Sequence, residues 1–377
     1  MKIIVGLSGG VDSSVAALLL LRQGYEVEAL FMRNWDSAIN NDFLGNPDLT
    51  GDVCPQEQDY IDAQDVADKL GIVLHRHDFV KEYWDDVFKF FLDELKKGRT
   101  PNPDILCNKY IKFAAFLDVA KSLGADKIAM GHYARIGFDC EYKLLRGVDQ
   151  NKDQSYFLSQ LNQDQLSYTL FPIGDIVKSE VRNIALEANF NVARKKDSTG
   201  ICFIGERRFS QFLANYLPAK PGDIVNESQE IIGHHEGLMN YTIGQRKGLK
   251  IGGLKAYACD PWFVSGKNLV KNELHVVQGF ENIKLYSDKC IVTGVNWISN
   301  QCFTGEISVT AKFRYRQQDI PVSISWIGND SIQVLYPTLS RAVTPGQECV
   351  FYDHETCLGG GTIDKVYYHN VLRVEES

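Results

Sequence analysis

The sequence predicts an α/β protein in three parts: an N-terminal doubly wound parallel sheet, a small central linking domain and a C-terminal antiparallel β-barrel. Three observations predict it. Over the first half, short apolar runs alternate with helical stretches, the pattern of parallel strands joined by crossover helices. Towards the end, runs of strict apolar–polar alternation are divided by turn signals such as Gly328-Asn329-Asp330 and Gly359-Gly360-Gly361. Between them lies a local basic island: residues 190–255 carry +4, whereas the whole 377-residue chain carries −8. The expected bounds are 1–205, 206–281 and 282–377, and 44% apolar residues suffice for proper cores.

Taken in order, Lys2-Ile3-Ile4-Val5-Gly6-Leu7 reads as a buried strand. Val15 to Arg22, rich in Ala and Leu, reads as a helix closed by Gly24. Tyr25 to Met32 is a second strand, and the polar stretch from Asn34 to Pro55 is long enough for a lid or a disordered segment. Tyr60, Ala63, Val66, Ala67 and Leu70 form a helical stripe ended by Gly71, and Ile72 to His75 forms a strand. Helices are expected at Tyr83–Lys97 and Ile111–Leu123, a strand at Lys127–Met130 and a helix at Lys178–Asn189. In such a sheet, ligands meet the carboxyl edge.

Ser8-Gly9-Gly10-Val11-Asp12-Ser13-Ser14 joins the first strand to the first helix, at that edge. Unpaired N–H groups and the positive end of the helix dipole converge there, and two glycines let an anion approach the backbone. The ATP/GTP loop pattern ending in Gly-Lys-Ser/Thr is absent, as is GxGxxG. The motif resembles that of the PP-loop ATP pyrophosphatases, which split ATP between its α and β phosphates. That resemblance implies that the loop holds the pyrophosphate portion and that Asp12 helps place Mg²⁺ and the phosphates.

Two cysteine motifs carry nucleophilic potential. Thr100-Pro101-Asn102-Pro103-Asp104-Ile105-Leu106-Cys107-Asn108 brings a carboxylate and a thiol onto one loop, which its prolines are expected to keep out of helix. Read alone, Cys107 is better explained as a buried structural cysteine. Lys196-Asp197-Ser198-Thr199-Gly200-Ile201-Cys202 sets the second thiol in the basic island, where neighbouring cations favour thiolate. The island itself has two readings, a solvated surface or a contact for a phosphate backbone.

Composition bounds the compartment and cofactors. No stretch approaches a membrane span, the N-terminus reads as a strand and not a signal peptide, and nine cysteines without paired spacing fit a reducing cytoplasm. Absence of CxxC or a Cys/His cluster at zinc spacing predicts no structural metal, and His234-His235 reads as a polar turn.

Together, SGGVDSS, NPDILCN, Gly131-His132-Tyr133-Ala134-Arg135, Lys152-Asp153-Gln154-Ser155-Tyr156-Phe157-Leu158, DSTGICFI and Phe313-Arg314-Tyr315-Arg316 resemble the bacterial tRNA-specific 2-thiouridylases over nearly the whole chain. The resemblance implies ATP-dependent adenylation of the C2 oxygen of the wobble uridine in tRNAs for Lys, Glu and Gln, then replacement by sulfur. It implies a persulfide on Cys202, charged by a cysteine desulfurase or relay protein, with Cys107 as its partner thiol and Asp104 as general acid/base. Gly6, Leu7, Ser8, Gly9, Gly10, Val11, Asp12, Ser13, Met32 and Gly131 would meet ATP. Asn102, Pro103, Asp104, His132, Lys152, Asp153, Gln154, Arg314, Tyr315 and Gln347 would meet tRNA. For Tyr315 the alternation from Ile307 leaves a core reading open, whereas Arg314 is expected to point outward.

Overall fold

In a computed structural model, the described residues are 1–44, 55–197, 209–252, 260–301 and 303–373. The first sheet is parallel throughout and comprises β1 (Lys2–Gly6), β2 (Glu26–Arg33), β3 (Leu74–Asp78), β4 (Lys127–Ala129) and, from further along the chain, β7 (Thr169–Leu170). Their spatial order is β3-β2-β1-β4-β7, so the connections reverse direction between β1 and β4. Such a switch point opens a crevice at the carboxyl ends of those two strands.

Both faces of this sheet are covered, as its β-branched strands require. Ile4, Leu30, Met32 and Ile128 face one core. That core is completed by two long helical segments, α3 (residues 80–96) and α4 (residues 103–122). On the other face, Ala29 and Phe31 meet α1 (Val11–Arg22) and α2 (Pro55–Leu70). In α1, Ala16, Ala17 and Leu20 are buried, and Gly24 leaves the helix in a left-handed turn at φ 82°.

A hairpin, β5 (Ala134–Asp139) and β6 (Glu141–Arg146), then reaches from the core of the first domain, which Ala134 and Leu144 share, to the C-terminal part. It pairs Leu144 with Cys357 and Leu145 with Thr356, joining a sheet of the C-terminal part. The central sheet runs β10 (Trp262–Asn268), β11 (Glu273–Gln278), β8 (Gly222–Val225), β9 (Ile231–His235).

Six antiparallel strands complete the fold: β12 (Tyr286–Trp297), β13 (Glu306–Lys312), β14 (Ile320–Trp326), β15 (Ile332–Arg341), β16 (Glu348–Asp353) and β17 (Thr356–Tyr368). Pairing of β12 with both β15 and β17 closes them into a barrel. Its interior holds Val292, Ala311, Ile324, Val334, Phe351 and Ile363.

Four expectations need correction. His234 and His235 do not form a polar turn but end strand β9, with His235 buried. Residues 103–108 are not kept out of helix by the prolines: Pro103 occupies the first helical position of α4, where its missing N–H costs nothing. The alternation beginning at Ile307 stops being strand at Lys312, so it does not set the direction of Arg314. The third strand lies at Leu74–Asp78, two residues later than its apolar run suggests. Of the polar stretch after β2, residues 34–44 are anchored: Asn215 accepts from Leu44 N at 2.8 Å, and Tyr216 donates to Asn40 O at 2.9 Å. The remainder, 45–54, lies outside the described residues.

Candidate active site

The loop between β1 and α1 is tied into a compact ring by its own serines. Ser13 Oγ accepts from Ser8 N at 3.2 Å, and the Ser13 and Ser14 hydroxyls both donate to Gly10 O, at 3.1 and 2.8 Å. Gly10 stands at the N-cap of α1 with no side chain capping the helix. The first-turn N–H groups thus keep their electrostatic pull on an anion.

Space around the loop is reserved by glycines. A Cβ on Gly131, just past β4, would stand 2.7 Å from Ser13 N and 2.9 Å from the Asp12 carbonyl carbon. One on Gly6 would strike Met130 Sδ at 2.6 Å and lie 3.6 Å from Met32 Cε. Gly9, at φ 71°, abuts the Asp59 carbonyl of α2. The residues expected to meet the nucleotide, Gly6 to Ser13, Met32 and Gly131, therefore gather at the switch point.

Asp12 is the hub of a charged network. Lys178 Nζ reaches both Asp12 carboxylate oxygens at 2.8 Å and Asp197 Oδ1 at 2.7 Å, and Tyr133 donates its hydroxyl to Asp12 Oδ1 at 2.7 Å. Lys152 and Arg182 also hold Asp197, at 2.6 and 3.0 Å. Burial raises the Asp197 carboxyl, but hydrogen bonds from Lys152 and Lys178 outweigh it and bring it down to about 2. Burial, with Asp12 alongside, pushes the Tyr133 phenol far above its usual range, so it stays a donor.

Lys178 and Tyr133 were not among the sequence candidates. One signal was available: Lys178 is the first residue of α5 (Lys178–Glu187), where the dipole disfavours a cation unless a carboxylate faces it. Within the basic island, Lys195 is likewise committed, bonded to Gly9 O, Asp59 and Asp62 at 2.9, 2.7 and 2.6 Å.

The helix carrying the first cysteine motif starts sharply. Asn102 caps α4 by accepting from Asp104 N at 3.2 Å, and Pro103 stands next, at N1. Asp104 is half-buried and Cys107 fully buried; they sit three residues apart, about one helical turn. From Cys107 to Ala115 the helix is π-helical, a local widening often found at functional sites. Cys202, in residues 198–208, lies outside the described residues, so its distance from Cys107 is not defined.

Aromatic and amide contacts bring the remaining motifs to this helix. Asn108 Nδ2 donates to Phe157 O at 2.9 Å, and the Phe157 ring lies 4.4 Å from that of Tyr315, which also packs near Tyr156. His132 is buried between Phe113 of α4 and Phe171, its ring kept neutral by burial with Lys112 nearby, and its Nδ1 has no partner among the described residues.

The other residues expected at tRNA bond within the protein. Asp153 accepts from Gly147 N and Ser155 N, at 3.0 and 3.1 Å, and Gln154 accepts from Tyr133 N at 3.0 Å. Arg314, expected outward, turns inward and donates to Ile243 O and Thr344 Oγ1, at 2.9 and 2.8 Å. Gln347 donates to Thr100 O at 2.6 Å.

Fold and loop together define a nucleotide-binding α/β protein of the PP-loop kind. Family models described as the tRNA methyl transferase HUP domain, the tRNA methyl transferase PRC-barrel domain and the aminomethyltransferase beta-barrel domain match residues 1–206, 210–278 and 287–363. Relatives matched from end to end carry a more specific name. The tRNA-specific 2-thiouridylase MnmA of Acholeplasma laidlawii is 59% identical over 99% of both chains. Those of Mesoplasma florum and Bacillus cytotoxicus are 56% and 54% identical, each over 97% of this chain and 99% and 95% of theirs. The chain belongs to the tRNA-specific 2-thiouridylase family. Likeness to solved structures is slight: a 4-thiouridine synthetase in complex with RNA and ATP aligns over 55% of this chain and 46% of that one, at 16% identity and TM-score 0.31.

Proposed function

We propose that this chain is a tRNA-uridine 2-sulfurtransferase that uses ATP to exchange the C2 oxygen of the wobble uridine, position 34, for sulfur in tRNAs for Lys, Glu and Gln. The end-to-end likeness to a protein named tRNA-specific 2-thiouridylase, at 59% identity, carries this reading.

The uridine C2 carbonyl has no leaving group. Attack of its oxygen on the α-phosphorus of ATP forms the O–AMP bond and breaks the α–β bridge, releasing pyrophosphate. The Gly9-Gly10 loop and the open first turn of α1 suit that anion, and a side chain at Gly131 would fill their cradle. Mg²⁺ would be held by Asp12, in exchange for the Lys178 ammonium that occupies its carboxylate here, and would supply charge neutralisation for the phosphates.

Cys202 would carry the sulfane sulfur as a persulfide received from a cysteine desulfurase or relay protein. Two routes deliver it to C2 with AMP leaving: attack by the terminal persulfide sulfur, or attack by sulfide that Cys107 frees. Either ends with a Cys107–Cys202 disulfide, which an external thiol reductant must return to two thiols. Asp104, at the head of α4, is assigned the proton transfers on the base. We assign residues 1–205 to this chemistry, and 206–281 and 282–377 to tRNA docking. Because no helix among the described residues is long and apolar enough to cross a membrane, nothing there opposes a cytoplasmic site.

The test is mass spectrometry of nucleosides from unmodified tRNA incubated with the protein, Mg-ATP, and a cysteine desulfurase with cysteine. The expected product is 2-thiouridine, dependent on ATP and lost in both Cys107→Ser and Cys202→Ser. Thiolation that survives either substitution would overturn the two-thiol assignment, and ATP cleavage without sulfur in tRNA would point to a small-molecule substrate.

A further inference from the structure

Three consecutive residues just ahead of α4 are each gripped by the other two domains. Gly98, left-handed at φ 75°, accepts from Lys267 Nζ of the central domain at 2.8 Å, and a Cβ there would stand 3.0 Å from Leu269 Cδ2. Arg99 joins the buried Glu94 of α3 to Asp364 of the barrel, at 3.4 and 2.5 Å. Thr100 donates its N–H to Pro345 O at 3.0 Å, accepts from Gln347 Nε2 at 2.6 Å, and its hydroxyl meets Thr242 Oγ1 at 3.3 Å.

The barrel approaches so closely that Gly346, at φ 89°, has no room for a side chain: its Cβ would lie 2.9 Å from both Arg99 Cβ and Thr100 N. Lys267 is buried and donates from Nζ to the Gly98 carbonyl, a bond that exists only while the two domains stay in contact.

The chain between Thr100 and the head of α4 is stiff. Pro101 and Pro103 have φ fixed by their rings, and Asn102 is pinned by its own cap to Asp104 N. A displacement of Thr100 is therefore transmitted to α4 and not absorbed by soft dihedrals. We propose that residues 98–102 form a three-domain clamp in which Arg99 and Lys267 are positioning residues, so that the central domain and barrel set where Asp104 and Cys107 stand. The proposal rests on the reading of those two as reacting groups. It gives a direct way for tRNA docked on the distal domains and the reacting helix to share one frame.

The experiment compares wild type with Arg99→Ala, Asp364→Asn and Lys267→Met, each first checked for a native thermal transition. Two readouts are taken: kcat and tRNA Kd for thiolation, and the rate at which iodoacetamide alkylates Cys107 by peptide mass spectrometry. Exposed Cys140 serves as the internal reference. Loosening the clamp is expected to lower kcat about 10- to 100-fold with tRNA Kd within about twofold, the cost of misplacing groups by about an ångström. Alkylation of Cys107, buried in the wild type, should accelerate while that of Cys140 does not change. If Arg99→Ala fails to fold, Asp364→Asn weakens the same cross-domain bond from its more exposed end by removing the charge while leaving an acceptor. Unaltered kcat and Cys107 protection in a folded variant would overturn the clamp. So would a rise in tRNA Kd alone, which would make these residues part of a binding surface. Should the wild-type chain thiolate no tRNA, the functional reading fails, and the alkylation rates still decide the clamp.

Discussion

Lys178 places its ammonium 2.8 Å from each carboxylate oxygen of Asp12, and the same nitrogen lies 2.7 Å from Asp197. One cation thus joins the glycine-rich loop to the motif that leads towards Cys202. Lys178→Met leaves two carboxylates facing each other with one cation fewer. Because Asp12 is 30% exposed, the loss of stability should be about 2 kcal/mol, below the ~3–5 of a fully buried pair. Urea titration measures this, and a double-mutant cycle with Asp12→Asn should return a coupling of about 1 kcal/mol or more. Additive effects would mean the contact contributes nothing.

Gly131→Ala tests whether the cradle at the switch point is needed empty. The new methyl would collide with Ser13 N and the Asp12 carbonyl carbon, both backbone atoms of the glycine-rich loop. Overpacking of about 1–3 kcal/mol directed at that loop predicts roughly a tenfold or larger rise in ATP Kd. Isothermal titration should show this with the thermal transition lowered only slightly. An unchanged Kd would place ATP elsewhere.

Glu348 is buried in the contact between barrel and first domain, and accepts from Gln160 Nε2 at 2.6 Å. Burial raises its carboxyl to about 7, against the downward pull of that hydrogen bond and of Lys109. The folded state thus binds the proton more tightly than the unfolded chain. Its contribution to stability is full below pH 4.5 and is lost as pH rises through about 7. Glu348→Gln keeps an acceptor for Gln160 and removes the titration. Relative to wild type it should gain up to about 3 kcal/mol at pH 8 and little at pH 4.5, read from denaturant midpoints at both. An equal effect at both values would show that Glu348 does not titrate in this window.

Asn102 is assigned two tasks that one pair of substitutions separates. Asn102→Ala removes the cap of α4 and should cost about 1 kcal/mol, whereas Asn102→Asp retains an accepting oxygen and should cost little. If the amide also meets the target base, thiolation falls in both variants. If it acts through the cap alone, Asn102→Asp keeps activity.

How much of this was legible in the sequence depends on how local the cause is. The strand–loop–helix junction at Ser8–Ser14 was readable because strand, glycines and helix formers are contiguous. The barrel was readable through alternation such as Ile307–Lys312. The head of α4 was misread because a proline pair signals a break, and only the Asn102 cap tells that Pro103 begins a helix. Arg314 was read as pointing outward and Lys195 only as part of the basic island, yet their partners lie about 70 and 130 residues away in sequence, at Ile243 and Asp62. Such pairings have no local signature. Lys178 did carry one, a cation at the wrong end of a helix dipole.

The hairpin of Ala134–Arg146 has a bearing on how this protein can be taken apart. Its outer strand is completed by Thr356 and Cys357, and Leu144 beneath that seam is wholly buried. A fragment cut before the barrel would carry this strand with its hydrogen-bonding row uncovered and an apolar underside in water, a template for joining other chains edge to edge. The N-terminal part, expressed by itself, should therefore precipitate or pair with itself, and recover solubility when the barrel is supplied as a separate polypeptide.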